Sequence, residues 1–176
     1  DALMSWCARV SADFITSQIE AGASAVQLFD SWVGSLSPRT YRESVAPYSR
    51  VVAQRVAGAV SPVTGGRAPL IHFGTGSAPI LADMAEVGAN CVGVDWKTDL
   101  SWAIAQVPGK AVQGNLDPAL LQAPWPVIEQ SVRDILDAGR SAPGHVFNLG
   151  HGVPPTTDPD VLTRIVELVH ELGDAR

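Results

Sequence analysis

The chain has 176 residues, 46% hydrophobic and 17% charged, which is long enough to bury a core and too apolar for a disordered segment. A formal net charge of −6 argues against a nucleic-acid partner, which wants a basic face. No apolar run reaches bilayer length, the start lacks the layout of a secretory signal, and the two cysteines show neither a disulfide framework nor zinc-ligand spacing.

A single cytoplasmic domain over residues 1–176 is therefore expected. The sequence opens on Asp1, inside an amphipathic pattern, and reads as trimmed from something longer.

Leu3, Cys7, Val10, Phe14, Ile15 and Ile19 recur at helical spacing, so residues 2–20 are predicted to form a helix with one apolar stripe, stopped near Gly22. Ala25-Val26-Gln27-Leu28-Phe29 reads as a buried strand that ends in Asp30-Ser31. Ser37-Pro38 has the form of a helix start, and Pro47 should kink or split the helix that follows. The next strand is Pro69 to Phe73, closing in Gly74-Thr75-Gly76, and a short helix spans 78–87. Cys91 to Val94 is a strand ending at Asp95-Trp96, followed by a helix with Leu100, Ile104 and Val107 on one side. Lys110 to Gln113 is a strand ending in Gly114-Asn115-Leu116-Asp117, with a helix at 125–138. The last strand, His145-Val146-Phe147, runs into a loop bearing Asn148 and His151, and a final helix starts near Pro159.

Five strands are thus each followed by a helix, and each strand is apolar throughout, which requires parallel strands covered on both faces. Units of about 30 residues suit part of a (β/α)8 barrel, whose complete form takes about 250 residues. A five-stranded flavodoxin-like sheet fits the same pattern and suits the length better. Polar or small residues close every strand, however. A barrel gathers all such ends at one mouth, whereas a flavodoxin-like sheet needs them only near its switch point, so their distribution favours the barrel.

Among these ends, His151 is the strongest candidate for chemistry, flanked by Gly150 and Gly152 on a strand-end loop. Asp30-Ser31 could supply a carboxylate and a hydroxyl, or could simply cap a turn. Gly74-x-Gly76 lacks the remainder of a dinucleotide fingerprint. Asp117-Pro118 most simply caps the next helix, His72 reads as a satisfied core residue, and Cys91 as a small core side chain. His72 and His151 without a fitting carboxylate or thiolate make no case for a metal site.

Four segments carry a more specific signal. Gln27-Leu28-Phe29-Asp30-Ser31-Trp32-x-Gly34, Gly93-Val94-Asp95-Trp96, Gln113-Gly114-Asn115-Leu116-Asp117-Pro118 and Asn148-Leu149-Gly150-His151-Gly152 resemble, in order and spacing, the C-terminal half of the uroporphyrinogen decarboxylase family; Pro47-Tyr48 fits as well. The resemblance covers essentially the whole chain. It implies part of a (β/α)8 barrel, usually homodimeric, from tetrapyrrole and haem biosynthesis. The implied reaction removes CO2 from the four acetate side chains of uroporphyrinogen III to give coproporphyrinogen III, with no metal or organic cofactor.

By position the resemblance makes Phe29, Ser31 and His151 substrate contacts: Phe29 lines the cleft, Ser31 binds a carboxylate, and His151 bonds a carboxylate or delivers a proton. The family's arginine-rich motif, its pyrrole-gathering aspartate and its tyrosine lie in the N-terminal half and have no counterpart here, so the chain by itself is expected to be inert. Two rivals remain. One is a zinc- or corrinoid-linked methyltransferase of the same superfamily, against which Gly74 stands where a His-x-Cys thiolate would be. The other is a non-catalytic tetrapyrrole-binding half-barrel. Five of eight strands would leave open sheet edges and an exposed inner face, which call for the missing half, a partner chain or a rearranged packing.

Overall fold

The computed structural model describes residues 1–174. The chain divides into two compact units, Asp1–Val92 and the segment from Gly93 onward. Its strands lie in the sheet in the order of the sequence.

The first unit opens with α1 (Ala2–Glu20), followed by β1 (Val26–Phe29). Next come α2 (Pro38–Ser44) and α3 (Ala46–Val56). The break between them falls at Val45, two residues before Pro47, because a proline cannot continue the hydrogen-bond ladder but is tolerated in a first helical turn. At the start of α2 the Ser37 hydroxyl accepts from the Thr40 backbone N–H, and Pro38 occupies the first turn. β2 (Leu70–Phe73) pairs parallel with β1, Val26 opposite Leu70 and Phe29 opposite Phe73. A 3-10 turn (Ala78–Ile80) then leads into α4 (Leu81–Glu86), and the unit ends within β3 (Cys91–Gly93).

Helix α1 packs by a different face from the one its large side chains suggest. Leu3, Val10 and Phe14, expected in the core stripe, are 70%, 47% and 65% exposed. The buried residues are Ala8, Ala12, Ile15 and Ile19, which meet Val52, Ala53 and Val56 of α3 above Val26 and Leu70. Small alanines at the contact let two helices approach closely, and a reading by side-chain size overlooks them. A second cluster, Val33, Tyr41, Ala46, Ile80, Met84 and Val87, fills the space under α2 and α4.

In the second unit, α5 (Leu100–Gln106) is capped by the Asp99 carboxylate, which accepts from the Trp102 N–H at 2.7 Å. β4 (Ala111–Gln113) and β5 (His145–Val146) pair parallel, with Val112 opposite His145. An isolated parallel bridge, Leu116 to Leu149, prolongs that pairing beyond both strand ends. Between them lie a 3-10 turn (Pro118–Gln122) and α6 (Trp125–Gly139), and α7 (Pro159–Asp174) closes the chain. Ile128 and Val132 of α6 pack with Ile165 and Leu168 of α7 over Leu116 and Leu121. Phe147, expected inside the last strand, lies past its end and is partly buried against this cluster.

Strands of a complete barrel are covered on both faces; in this chain β1 and β5 are not, as expected of a partial barrel with an exposed face. Phe29 is 65% exposed and Val146 also stands open.

Candidate active site

Each unit carries strand ends with polar residues, and the two sets are built differently. In the first unit, β1 hands over to a tight turn. The Asp30 N–H donates to the Phe73 carbonyl at 2.7 Å, and the Val33 N–H donates to the Asp30 carbonyl at 3.0 Å, opening a 3-10 turn at Val33–Ser35. From the neighbouring strand end the Thr75 hydroxyl donates to the Ser31 carbonyl at 2.6 Å. A Cβ on Gly34 would collide with the Thr75 carbonyl, and one on Gly74 would meet Val33 and the Asp30 carbonyl, so close approach of the two loops demands glycine at both.

Beneath the turn, His72 is wholly buried and its Nε2 lies 2.9 Å from Asp30 Oδ2. The Ser49 hydroxyl points at the same oxygen from 3.4 Å, and His72 Nδ1 lies 3.4 Å from the Met84 carbonyl. Tyr41 is fully buried nearby; burial above all, then the negative charges of Asp30 and Asp83, push its hydroxyl well above the usual range. Phe29 packs edge-on against Phe73, ring centroids 6.1 Å apart, and presents the rest of its ring to solvent.

In the second unit the strand ends are knitted to the main chain. Asp95 Oδ1 accepts from the Thr98 hydroxyl at 2.8 Å and the Lys97 N–H at 3.2 Å. The Asn115 amide donates to the Asp95 and Thr98 carbonyls at 2.9 and 2.6 Å. Asp117 accepts from the Ala119 N–H at 2.9 Å and caps the 3-10 turn, as its Asp-Pro sequence suggests. His151 stands exposed, its ring 5.5 Å from that of Trp96 and tilted by 59°. Lys97 lies over Trp96 at 5.0 Å from the ring centroid. Gly150 runs so close to the Trp96 backbone that any side chain there would strike it, and this contact sets where His151 begins.

Of the residues singled out in the sequence, Asp95, Asn115 and Asp117 therefore hold loops together. Ser31 Oγ and both ring nitrogens of His151, by contrast, make no hydrogen bond among the described residues. The Asp30–His72 pairing escapes a reading of single segments; its only sequence trace is that Phe29 and Phe73 close two adjacent parallel strands, which brings Asp30 near His72.

Cys91 is buried, and its thiol is pushed up to about 11 by that burial, as suits a core residue. Among the described residues no group of three or more metal-ligating side chains gathers, and no helix is long and apolar enough to cross a membrane. A cleft of about 280 Å3 beside Trp96 and Asn115 is lined by Asp99, Asp117 and Asp134, a charge set that would repel a carboxylate-rich ligand.

The family model described as "Uroporphyrinogen decarboxylase (URO-D)" matches residues 1–172. A uroporphyrinogen decarboxylase of Salinispora tropica is 57% identical over 97% of this chain and 44% of its own length. Those of Streptomyces coelicolor and an Arthrobacter species are 55% and 53% identical, over 96% and 98% of this chain and 46% and 48% of their own. The chain thus spans about half the length of the curated relatives it matches. Among solved structures, a methyltransferase from Methanosarcina mazei superposes with a TM-score of 0.77 at 20% identity, over 94% of this chain and 47% of that one. At that identity the likeness shows the fold alone: α/β, with parallel strands alternating with helices as in part of a (β/α)8 barrel.

Proposed function

Because the chain belongs to the uroporphyrinogen decarboxylase family, we propose that it forms the C-terminal portion of an enzyme converting uroporphyrinogen III to coproporphyrinogen III. Phe29, Ser31 and His151 then contact the substrate. The observation that carries this reading is the contrast in hydrogen bonding: the Ser31 hydroxyl and the His151 ring make no hydrogen bond among the described residues, while Asp95, Asn115 and Asp117 are committed to holding loops.

The chemistry asks for little else from these residues. Protonating a pyrrole carbon creates an electron sink, the carbon–carbon bond electrons flow into it as CO2 leaves, and protonation of the side-chain carbon with loss of the proton first added to the ring gives a methyl group on a restored pyrrole. Ser31 donates its hydroxyl hydrogen to a substrate carboxylate. His151, braced against Trp96, bonds a carboxylate or delivers a proton, and Phe29 supplies an apolar wall. Arg39, Arg42, Arg55, Arg133 and Arg140 pair with surface carboxylates of this chain. The working enzyme is a cytoplasmic homodimer that uses no cofactor and binds neither nucleic acid nor membrane.

The methyltransferase reading is weaker, because His72 is buried against Asp30 and Gly74 offers no thiolate. The test is product formation. This chain alone should yield no coproporphyrinogen, and the same chain placed behind the N-terminal portion of the Salinispora tropica relative should yield it. Turnover by the isolated chain, or an inert well-folded joined protein, would refute the proposal.

A further inference from the structure

One buried polar pair takes no part in the proposed substrate contacts. His72 sits in the interior of β2 with 0% of its side chain exposed, where the other members of the strand are Leu70, Ile71 and Phe73. An apolar residue would cost less there, since a buried polar side chain must give up water and be matched by a partner. The partner is the Asp30 carboxylate, 27% exposed, whose Oδ2 receives His72 Nε2 at 2.9 Å and faces the Ser49 hydroxyl at 3.4 Å.

We infer that Asp30 and His72 form a positioning pair that fixes how Phe29 and Ser31 stand at the end of β1; this rests on reading those two residues as substrate contacts. Asp30 lies between them in the chain. Successive side chains on extended backbone point to opposite faces, so a carboxylate anchored toward α3 and the core turns Phe29 to the other side, and the same anchored residue is the one from which the Ser31 turn departs. The exposure of Phe29 and the contact of Asp30 with Ser49 of α3 agree with that division. Main-chain bonds already fix the path of the strand: the Asp30 N–H to the Phe73 carbonyl, and the Thr75 hydroxyl to the Ser31 carbonyl. Bonds along the backbone leave the strand end free to roll about its own axis, and the Asp30 side chain held from below resists that roll. Oδ2 carries both contacts, so the anchor is directional as well as attractive.

The test uses the joined protein described above, with His72→Phe, which keeps a ring but loses the donor, and His72→Gln, which keeps a donor. In His72→Phe, amide hydrogen exchange over residues 30–36 should rise about tenfold while α6 and α7 are unchanged. KM for uroporphyrinogen should rise about tenfold with kcat within about twofold, and His72→Gln should recover most of both effects. A variant that merely folds less well would lower apparent kcat and leave KM alone. Unmoved exchange and KM in His72→Phe, or a glutamine no better than phenylalanine, would overturn the inference. If the joined parent makes no coproporphyrinogen, the decarboxylase reading fails, and the exchange experiment alone decides positioning: a rise restored by glutamine supports it and no rise overturns it.

Discussion

The ends of β1 and β5 solve one problem by two routes. At β1 the loop is anchored by side chains from beneath, through the buried His72 and the half-covered Asp30. At β5 the anchor is the backbone: Gly150 lies against the Trp96 main chain, and Asn115 and Asp95 bind carbonyl and N–H groups of their neighbours. The lesson is that a strand-end residue can be held in place either by a polar contact that one substitution removes or by a close approach that one substitution blocks. The two should fail differently.

The largest effect is expected where close approach is blocked. Gly150→Ala forces a methyl group into the Trp96 backbone and should cost about 3 kcal/mol of stability, read as a lower denaturation midpoint. At β1, His72→Ala empties a buried site and leaves a carboxylate with one fewer donor, for an expected loss of about 2 kcal/mol. If the two losses were reversed in order, the distinction between the two anchors would fail.

A pH dependence sharpens the same comparison. The Tyr41 hydroxyl holds its proton to higher pH when folded than when unfolded, mainly through burial and then through Asp30. Its contribution to stability is therefore complete below the unfolded value of about 10 and is lost as pH rises beyond it. Chemical denaturation between neutral and strongly alkaline pH should show this fall, and Tyr41→Phe should flatten it. Cys91 belongs to the same unit: with its thiol raised to about 11, it should ignore thiol reagents near neutral pH until the chain unfolds. The smallest effect is expected from Arg39→Ala, which removes an exposed ion pair with Glu43 and should change stability by less than about 0.5 kcal/mol.

Local signals in the sequence carried much of the fold. Ser37-Pro38 announced a helix start, Pro47 announced the break at Val45, and five apolar runs marked the strands. Helix α1 was harder, because Leu3, Val10 and Phe14 advertised a core face that the alanines in fact occupy. At the site, Ser31 and His151 were legible as strand-end residues. The roles of Asp95 and Asn115 were not, since a buried carboxylate or amide looks the same in sequence whether it faces a ligand or a carbonyl. The pairing of Asp30 with His72, 42 residues apart, depends on strand register, which no local pattern records.

The most direct measurement asks whether the two strand ends serve one ligand. Trp32 follows Ser31 and Trp96 supports His151, so fluorotryptophan at each position reports on its own loop. With uroporphyrin titrated into the joined protein, the expected result is that both fluorine resonances shift along one binding curve with a single dissociation constant. A response at Trp32 or Trp96 alone, or two unrelated constants, would contradict a common substrate for Ser31 and His151.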